Sequence, residues 1–287
     1  MIKNKIKDIL TKEMLEYEYK SLGSMEKIAN KLQISIDSIY KYMKIHKIHY
    51  EKHYTGIYKC NENFFEQDSE QSYYWAGFIA ADGSLQHRKY SKILKICLAK
   101  CDFSHLEKFK LSLQSDHVIK NYLVKPSKLV KSENECSEIQ ITSKLLFDSL
   151  NRFNIVPNKT KKYDIPEWLL KHPLMNHFMR GYFDGDGCLS QCGLGKNRIV
   201  VQGVFSILGN ENFIKKYKSI LIEQANLNNV KLNKHYSVYQ ISYSGNGNIR
   251  KIYNFLYKNA TIWLDRKYYK FQTIVVPKLP KGALTIS

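Results

Sequence analysis

Two stretches of the sequence follow one pattern: Trp75-Ala-Gly-Phe-Ile-Ala-Ala-Asp82-Gly83 and Met179-Arg-Gly-Tyr-Phe-Asp-Gly-Asp186-Gly187. Each predicts an apolar helix with small residues that ends at an aspartate followed by glycine. The two aspartates lie 104 residues apart, and much of the sequence after one can be aligned with the sequence after the other. The chain is therefore predicted to contain two copies of one fold unit.

The composition narrows the class of protein. With 287 residues, 44% of them apolar, the chain is long enough to bury a substantial globular core. It has 45 lysines and arginines against 26 aspartates and glutamates, a net charge of +19 that is spread along the sequence. Such a charge attracts polyanions, so nucleic acid is the first expected partner and a membrane surface a distant second.

The sequence lacks the signals of membrane insertion and export. No apolar run is long enough to cross a membrane, and the first residues lack the apolar core of a signal peptide. We therefore expect an intracellular protein, in a cytoplasm, nucleoid or organelle matrix, without a membrane partner. The six cysteines form no CxxC pair, so neither a zinc ribbon nor a disulfide framework is indicated.

Four segments are predicted along the chain. Residues 1–50 are predicted to form a helix-turn-helix-like DNA-binding domain, 51–72 a linker, 73–163 a first half and 164–287 a second half. Residues 24–32 and 36–44 have the apolar spacing of two short helices joined by a turn. Lys41 and Lys44 would then be free to meet a DNA groove. The alternative is an ordinary helical hairpin that only extends the packing.

Both halves have the same predicted order of elements: a helix, a hairpin, a second helix, a strand pair and a third helix. In the first half, Leu94, Ile96 and Leu98 alternate with Lys95 and Cys97, as in a strand with one buried face. This order predicts an α+β fold with two pseudo-symmetric halves.

A lysine recurs at the equivalent position of the two halves. Asn158-Lys159 falls opposite Arg266-Lys267 when the repeats are aligned. The chain is rich in lysine, so Lys161 and Lys162 remain competitors for the first position and Lys270 for the second.

The two aspartates suggest a metal site. If the small-residue faces let the two helices touch, two carboxylates come to lie within several ångströms. At about 5 Å and an effective dielectric constant of about 20, their repulsion is roughly 3 kcal/mol, so a cation is needed between them. Oxygen ligands at a helix end suit Mg²⁺, which completes its octahedron with water and phosphate oxygens.

Both stretches resemble the LAGLIDADG motif, and the resemblance extends over residues 73–275. It implies a single-chain homing endonuclease, with two αββαββα halves around a pseudo-twofold axis and two sheets that form a saddle over DNA. Asp82 and Asp186 would bind Mg²⁺, for which Mn²⁺ would substitute, and Lys159 and Lys267 would assist catalysis. The backbone group at position 81 that would complete the metal site is left open. A monomer that cuts both strands of double-stranded DNA is implied.

Both stretches depart from the motif. The family often carries an acidic residue two positions before the last aspartate; Asp184 fills that position, but Ala80 stands in the first stretch. This position is expected to support helix packing more than chemistry. Arg180 and Met179 replace apolar residues and are expected on the outer face of the helix.

Outward-facing strand positions are expected to read bases, because an antiparallel ribbon fits the major groove. The candidates in the two halves are Gln86, His87, Arg88, Lys92, Lys95, Gln191, Lys196, Arg198 and Gln202. Many of them would contact phosphate instead, which positions the protein without specifying sequence.

The competing interpretation is a nucleic-acid binder of the same fold that does not cut, either an intron maturase or a transcription regulator. The predicted helix-turn-helix favours a regulator. Both motif aspartates favour a nuclease, because a pure binder has no electrostatic reason to keep them.

Overall fold

The computed structural model describes residues 9–22, 25–48, 58–89, 91–125, 133–159, 162–194 and 200–275. The chain divides into two compact units, Met1–Thr55 and Gly56–Ser287. Lys161, Lys196 and Arg198, which the sequence analysis put forward, lie outside the described residues. No helix in the described ranges is long and apolar enough to cross a membrane.

The described residues of the first unit include three helices: α1 (Lys12–Leu22), α2 (Met25–Leu32) and α3 (Ile36–Ile45). Ile28, Ile39 and Met43 are buried between them. The turn after α2 has Gln33 at φ 53°, and the amide of Ile34 donates to the carbonyl of Ala29 at 3.1 Å. This closure agrees with the predicted turn.

Helix α3 has a polar cap at its N-terminus. The Ser35 hydroxyl accepts a hydrogen bond from the amide of Ser38 at the N-terminus. Lys41 and Lys44 are exposed along this helix. Their contact with DNA stays a prediction.

Two central helices organise the second unit, α4 (Glu70–Asp82) and α7 (Met175–Asp186). Ser69 caps α4, with a reciprocal pair of hydrogen bonds to Ser72. The predicted linker over 51–72 is therefore wrong at its C-terminal end. Phe64 and Phe65 in this segment are buried in the core of the second unit, because their rings are too apolar to remain in solvent.

The first half of the second unit follows α4 with a four-stranded antiparallel sheet in the order β1-β2-β4-β3. Its elements are β1 (Gly83–Arg88), β2 (Ser91–Ala99), α5 (Phe103–Ser112), β3 (Ile119–Val124), β4 (Asn134–Thr142) and α6 (Lys144–Ser149).

The second half repeats this arrangement after α7, with a sheet in the order β5-β6-β8-β7. Its elements are β5 (Cys188–Leu194), β6 (Val200–Gly209), α8 (Glu211–Ala225), β7 (Asn233–His235), β8 (Val238–Ser244), α9 (Asn246–Tyr257) and α10 (Asp265–Val275). Two αββαββα halves are thus present, as the sequence predicts, and α10 is an addition to the second.

Within the described part of the second unit, helices cover one face of each sheet and leave the other face open. Leu94, Ile96 and Leu98 in the first sheet are buried under the helices, as are Leu189 and Phe205 in the second. Because side chains alternate along a strand, the residues between these positions lie on the open face. The open faces are the surfaces available to a large partner.

Candidate active site

Glycines bring α4 and α7 into backbone contact. A Cβ atom on Gly77 would lie 2.0 Å from the carbonyl oxygen of Phe178, and one on Gly181 would lie 1.9 Å from that of Tyr74. One turn further on, a Cβ on Gly185 would lie 2.5 Å from the Cβ of Ala81. The helices can therefore approach only with small residues at these positions.

This close packing places the two motif aspartates together at the helix ends. The position of a Cβ on Gly185 is 3.4 Å from Asp82 Oδ2, so the Asp82 carboxylate lies against the last turn of the helix that ends at Asp186. Both aspartates are exposed. Desolvation by surrounding protein, followed by repulsion from Asp186, raises the pKa of Asp82 to about 6.

The two motif lysines are buried at equivalent positions beside these aspartates. Lys159 Nζ donates to the carbonyl of Gly83 at 2.6 Å, and Lys267 Nζ donates to the carbonyl of Gly187 at 2.6 Å. Lys159 is 6% exposed and Lys267 is 5% exposed. Burial lowers the pKa of each lysine to about 8, against the opposing charges of the aspartates. Lys162 and Lys270 are exposed instead.

The donor set fits a hard divalent cation. Among the described residues, no cluster of three or more histidines, cysteines, aspartates or glutamates forms a metal cage. Mg²⁺ is commonly held by one or two carboxylates and completes its coordination with water and substrate phosphate. Asp82 and Asp186 offer these two carboxylates, and their mutual repulsion is the feature that a cation would relieve.

Asp184 lies in the protein core and accepts hydrogen bonds there. It is fully buried and accepts hydrogen bonds from the Tyr74 hydroxyl at 2.8 Å, the Tyr257 hydroxyl at 2.5 Å and the Leu264 amide at 2.8 Å. These groups come from both halves. Asp184 therefore joins the halves, and it is separated from solvent and from any DNA.

Arg180 does not lie on an outer helix face, contrary to the sequence-based expectation. Its side chain is fully buried, as is that of Met179. The guanidinium donates to the carbonyls of Ile262 and Leu256 at 2.9 and 2.8 Å and pairs with Glu70 at 2.6 Å. These partners satisfy the buried charge.

The predicted base-reading residues divide between the two faces of the sheets. Gln86, Arg88 and Lys95 alternate with the buried residues of the first sheet and lie on its open face, and Gln202 does so in the second. Lys95 pairs with Glu138 at 2.5 Å on that face. These four positions are available to a groove.

Three other candidates share the strand parity of the buried side chains. Lys92 is in register with the buried positions and pairs with Asp148 on α6. The His87 ring lies 6.4 Å from that of Phe147, also on α6. Gln191 alternates with the open-face positions, so it shares the parity of Leu189. By this parity the three side chains lie on the helix side of the sheets, where His87 and Gln191 remain exposed, and their contact with DNA stays a prediction.

Sequence reasoning missed several open-face residues. Lys120, Tyr122 and Gln140 in the first sheet and Gln240 in the second have the same parity as Lys95 or Gln202. The alternation of Leu94 with Lys95 identifies the open face of β2. Strand pairing then extends this assignment to the neighbouring strands. Arg266, next to Lys267, was also missed.

No protein-family model and no curated protein matches the sequence. Solved structures do match. The homing endonuclease I-WcaI bound to its DNA recognition sequence is 14% identical, with a TM-score of 0.52, over 72% of this chain and 91% of that chain. The chain has the LAGLIDADG fold.

Two structures of the meganuclease I-SmaMI match the same fold. One is bound to uncleaveable DNA with a TTGT central four; it is 15% identical, with a TM-score of 0.52, over 72% of this chain and 88% of that chain. The other is described as a LAGLIDADG homing endonuclease bound to cleaved DNA; it is 15% identical, with a TM-score of 0.51, over the same shares of the two chains. The motif helices that end at Asp82 and Asp186 are the two LAGLIDADG helices of this fold.

Proposed function

We propose that the protein is a site-specific, metal-dependent endonuclease that hydrolyses both strands of double-stranded DNA. The observation that carries the proposal is the pair of exposed carboxylates, Asp82 and Asp186, at the ends of two helices in backbone contact. A lysine with a lowered pKa lies beside them in each half. A cluster of ionisable side chains with shifted pKa values is typical of an active site.

Asp82 and Asp186 are proposed to hold Mg²⁺, and Mn²⁺ is expected to substitute. When bound, the metal would supply Lewis-acid stabilisation of the phosphate and a more acidic water. The carboxylates fix its position because their helices cannot slide past the glycine contacts. The repulsion between the two carboxylates favours a cation there, since binding replaces it with attraction.

Lys159 and Lys267 are proposed to supply positive charge next to the scissile phosphates. A pKa of about 8 leaves each ammonium mostly protonated at neutral pH. Charge placed where negative charge develops lowers the barrier in a partly dry site. The lysine positions are fixed by their bonds to the glycine carbonyls that follow the aspartates.

Double-stranded DNA is the proposed substrate, bound by a monomer. Support comes from the net charge of +19 and from the polar open faces of the two sheets. Arg88, Lys95 and Gln86 on the first open face and Gln202 on the second are the proposed groove contacts. Lys41 and Lys44 on α3 are proposed as further contacts with DNA.

A DNA-site library distinguishes this function from that of a non-cleaving binder. Wild type, Asp82→Asn and Asp186→Asn are incubated with the library and Mg²⁺ or Mn²⁺, and bound and cut sequences are recovered separately. We expect a specific double-strand cut by wild type, and binding without cutting by both variants. Tight binding of one site by wild type without cutting in either metal contradicts the proposal and favours a transcription regulator or maturase.

A further inference from the structure

Arg266 stands next to Lys267 in the second half, where the aligned position in the first half is Asn158. The second half therefore has an extra cation near the site. Its side chain is 54% exposed, whereas that of Lys267 is buried. The two neighbouring residues differ in what they can offer a large ligand.

The hydrogen-bonding capacity of Lys267 is already used. Its Nζ donates to the carbonyls of Phe183 at 2.6 Å, Gly185 at 3.0 Å and Gly187 at 2.6 Å. An ammonium group has only three N–H donors, so these bonds occupy all of them. Lys159, in contrast, donates to one carbonyl among the described residues, that of Gly83. Lys267 is thus bound as a cap on the end of α7, and Lys159 keeps donors for DNA.

Asp102 binds the Arg266 guanidinium at its Nε edge. Its Nε donates to Asp102 Oδ1 at 3.1 Å and Oδ2 at 2.9 Å. Asp102 is 7% exposed and belongs to the first half, so the pair also joins the halves. All hydrogen bonds from Arg266 to described residues run through Nε, which leaves the Nη1 and Nη2 donors for another acceptor.

The charge of Arg266 reaches the catalytic groups. Desolvation and Asp186 raise the pKa of Asp82, and the positive charges of Lys267, Lys159 and Arg266 oppose that rise. Arg266 also adjoins Lys267, whose Nζ donates to the carbonyl of Gly187, the residue that follows Asp186.

We propose that Arg266, oriented by Asp102, contacts a DNA phosphate next to Asp82, while Lys267 is a positioning residue that fixes the end of α7. The inference rests on the proposed function. A guanidinium fixed at its Nε edge presents a planar pair of donors, which is the geometry that binds a phosphate bidentately. The cation that contacts phosphate is thus Lys159 in one half and Arg266 in the other, and the buried Lys267 adds its charge without touching DNA.

The salt dependence of DNA binding tests the phosphate contact without requiring cleavage. The variant Arg266→Met is compared with Lys108→Met, because Lys108 pairs with Asp265 at 2.7 Å and joins α5 to the start of α10 in a similar way. Affinity for a mixed-sequence duplex is measured in EDTA over a range of salt concentrations. We expect Arg266→Met to reduce the slope of log affinity against log salt by about 0.9, with Lys108→Met and Arg266→Lys close to wild type. Equal slopes for Arg266→Met and Lys108→Met would overturn the contact.

Strand-resolved cleavage of a selected site tests its catalytic consequence. Arg266→Met is expected to slow the cutting of one strand by about 100-fold and the other strand much less. Equal slowing of both strands contradicts the assignment. If wild type cuts no site, the proposed nuclease function fails, and the salt slopes alone decide whether Arg266 contacts phosphate.

Thermal unfolding tests the role of Lys267. Lys267→Met removes three hydrogen bonds to the end of α7 and is expected to lower the Tm more than Lys159→Met, which removes one. An equal loss of Tm in the two variants would show that Lys267 is not a special cap.

Discussion

Gly77 and Gly181 are each pressed against the backbone of the opposite helix, at points related by the pseudo-twofold axis. A Cβ on Gly77 would meet the carbonyl oxygen of Phe178, and one on Gly181 would meet that of Tyr74. The two glycines are 104 residues apart, as are Tyr74 and Phe178, and the same separation relates Asp82 to Asp186. The spacing of the two carboxylates is therefore set by the two glycines one turn or more away.

Enlarging either glycine is expected to destabilise the protein. Gly77→Ala or Gly181→Ala should cost about 3 kcal/mol of unfolding free energy, because the added methyl group meets backbone atoms that cannot rotate away. The control is Gly247→Ala in α9, where a Cβ meets nothing within 4 Å. Its effect should stay within about 1 kcal/mol and favour the helix. Denaturant unfolding measures all three; equal effects would mean that the helices do not touch here.

The burial of Asp82 and its repulsion from Asp186 predict how stability depends on pH. Because the pKa of Asp82 rises from 3.8 to about 6 on folding, the folded state holds an extra proton between these values. Stability should therefore fall as pH rises through that window and remain lower above it. Asp82→Asn should remove this part of the fall, measured as Tm against pH in EDTA. An unchanged profile in the variant contradicts the assignment.

The pH dependence of cleavage follows from the same groups. The rate should rise as Asp82 ionises around pH 6 and fall as the lysines lose their protons around pH 8. Higher Mg²⁺ should move the acidic limb to lower pH, because metal and proton compete for the carboxylates. Single-turnover rates on a selected site measure both limbs. A rate that keeps rising above pH 8 would contradict a role for protonated lysine.

Strand parity predicts different effects for two cations of the first sheet. Arg88→Ala removes an open-face charge and should weaken DNA binding with little change in Tm. Lys92→Ala removes the partner of Asp148 on the helix side and should lower Tm modestly while leaving the salt slope of DNA binding near that of wild type. Fluorescence anisotropy and thermal unfolding report the two quantities. The reverse result would place Lys92 on the DNA side.

Much of this architecture follows from the sequence. The repeated motif gives the helix ends at Asp82 and Asp186, and aligning the repeats identifies Lys159 and Lys267 among many lysines. These features are local or repeated, so a pattern reveals them. The two αββαββα halves follow in the same way from the repeated order of elements.

The errors have particular physical causes. Lys92 and His87 are polar residues at strand ends, a pattern that predicts outward-facing side chains, but their parity is that of Leu94. The burial of Arg180 is not visible in the sequence, because its partners Glu70 and the Ile262 carbonyl are distant along the chain. The occupied donors of Lys267 depend on three carbonyls at a helix end, which only the structure brings together.

The most direct measurement of the central claim is anomalous diffraction from crystals of the protein bound to a selected DNA site and soaked with Mn²⁺. We expect anomalous peaks at Asp82 and Asp186 and next to DNA phosphate, and their loss in crystals of Asp82→Asn. Ordered DNA over the two open sheet faces without a peak at these aspartates would contradict the metal-dependent nuclease and leave a DNA-binding protein with the LAGLIDADG fold.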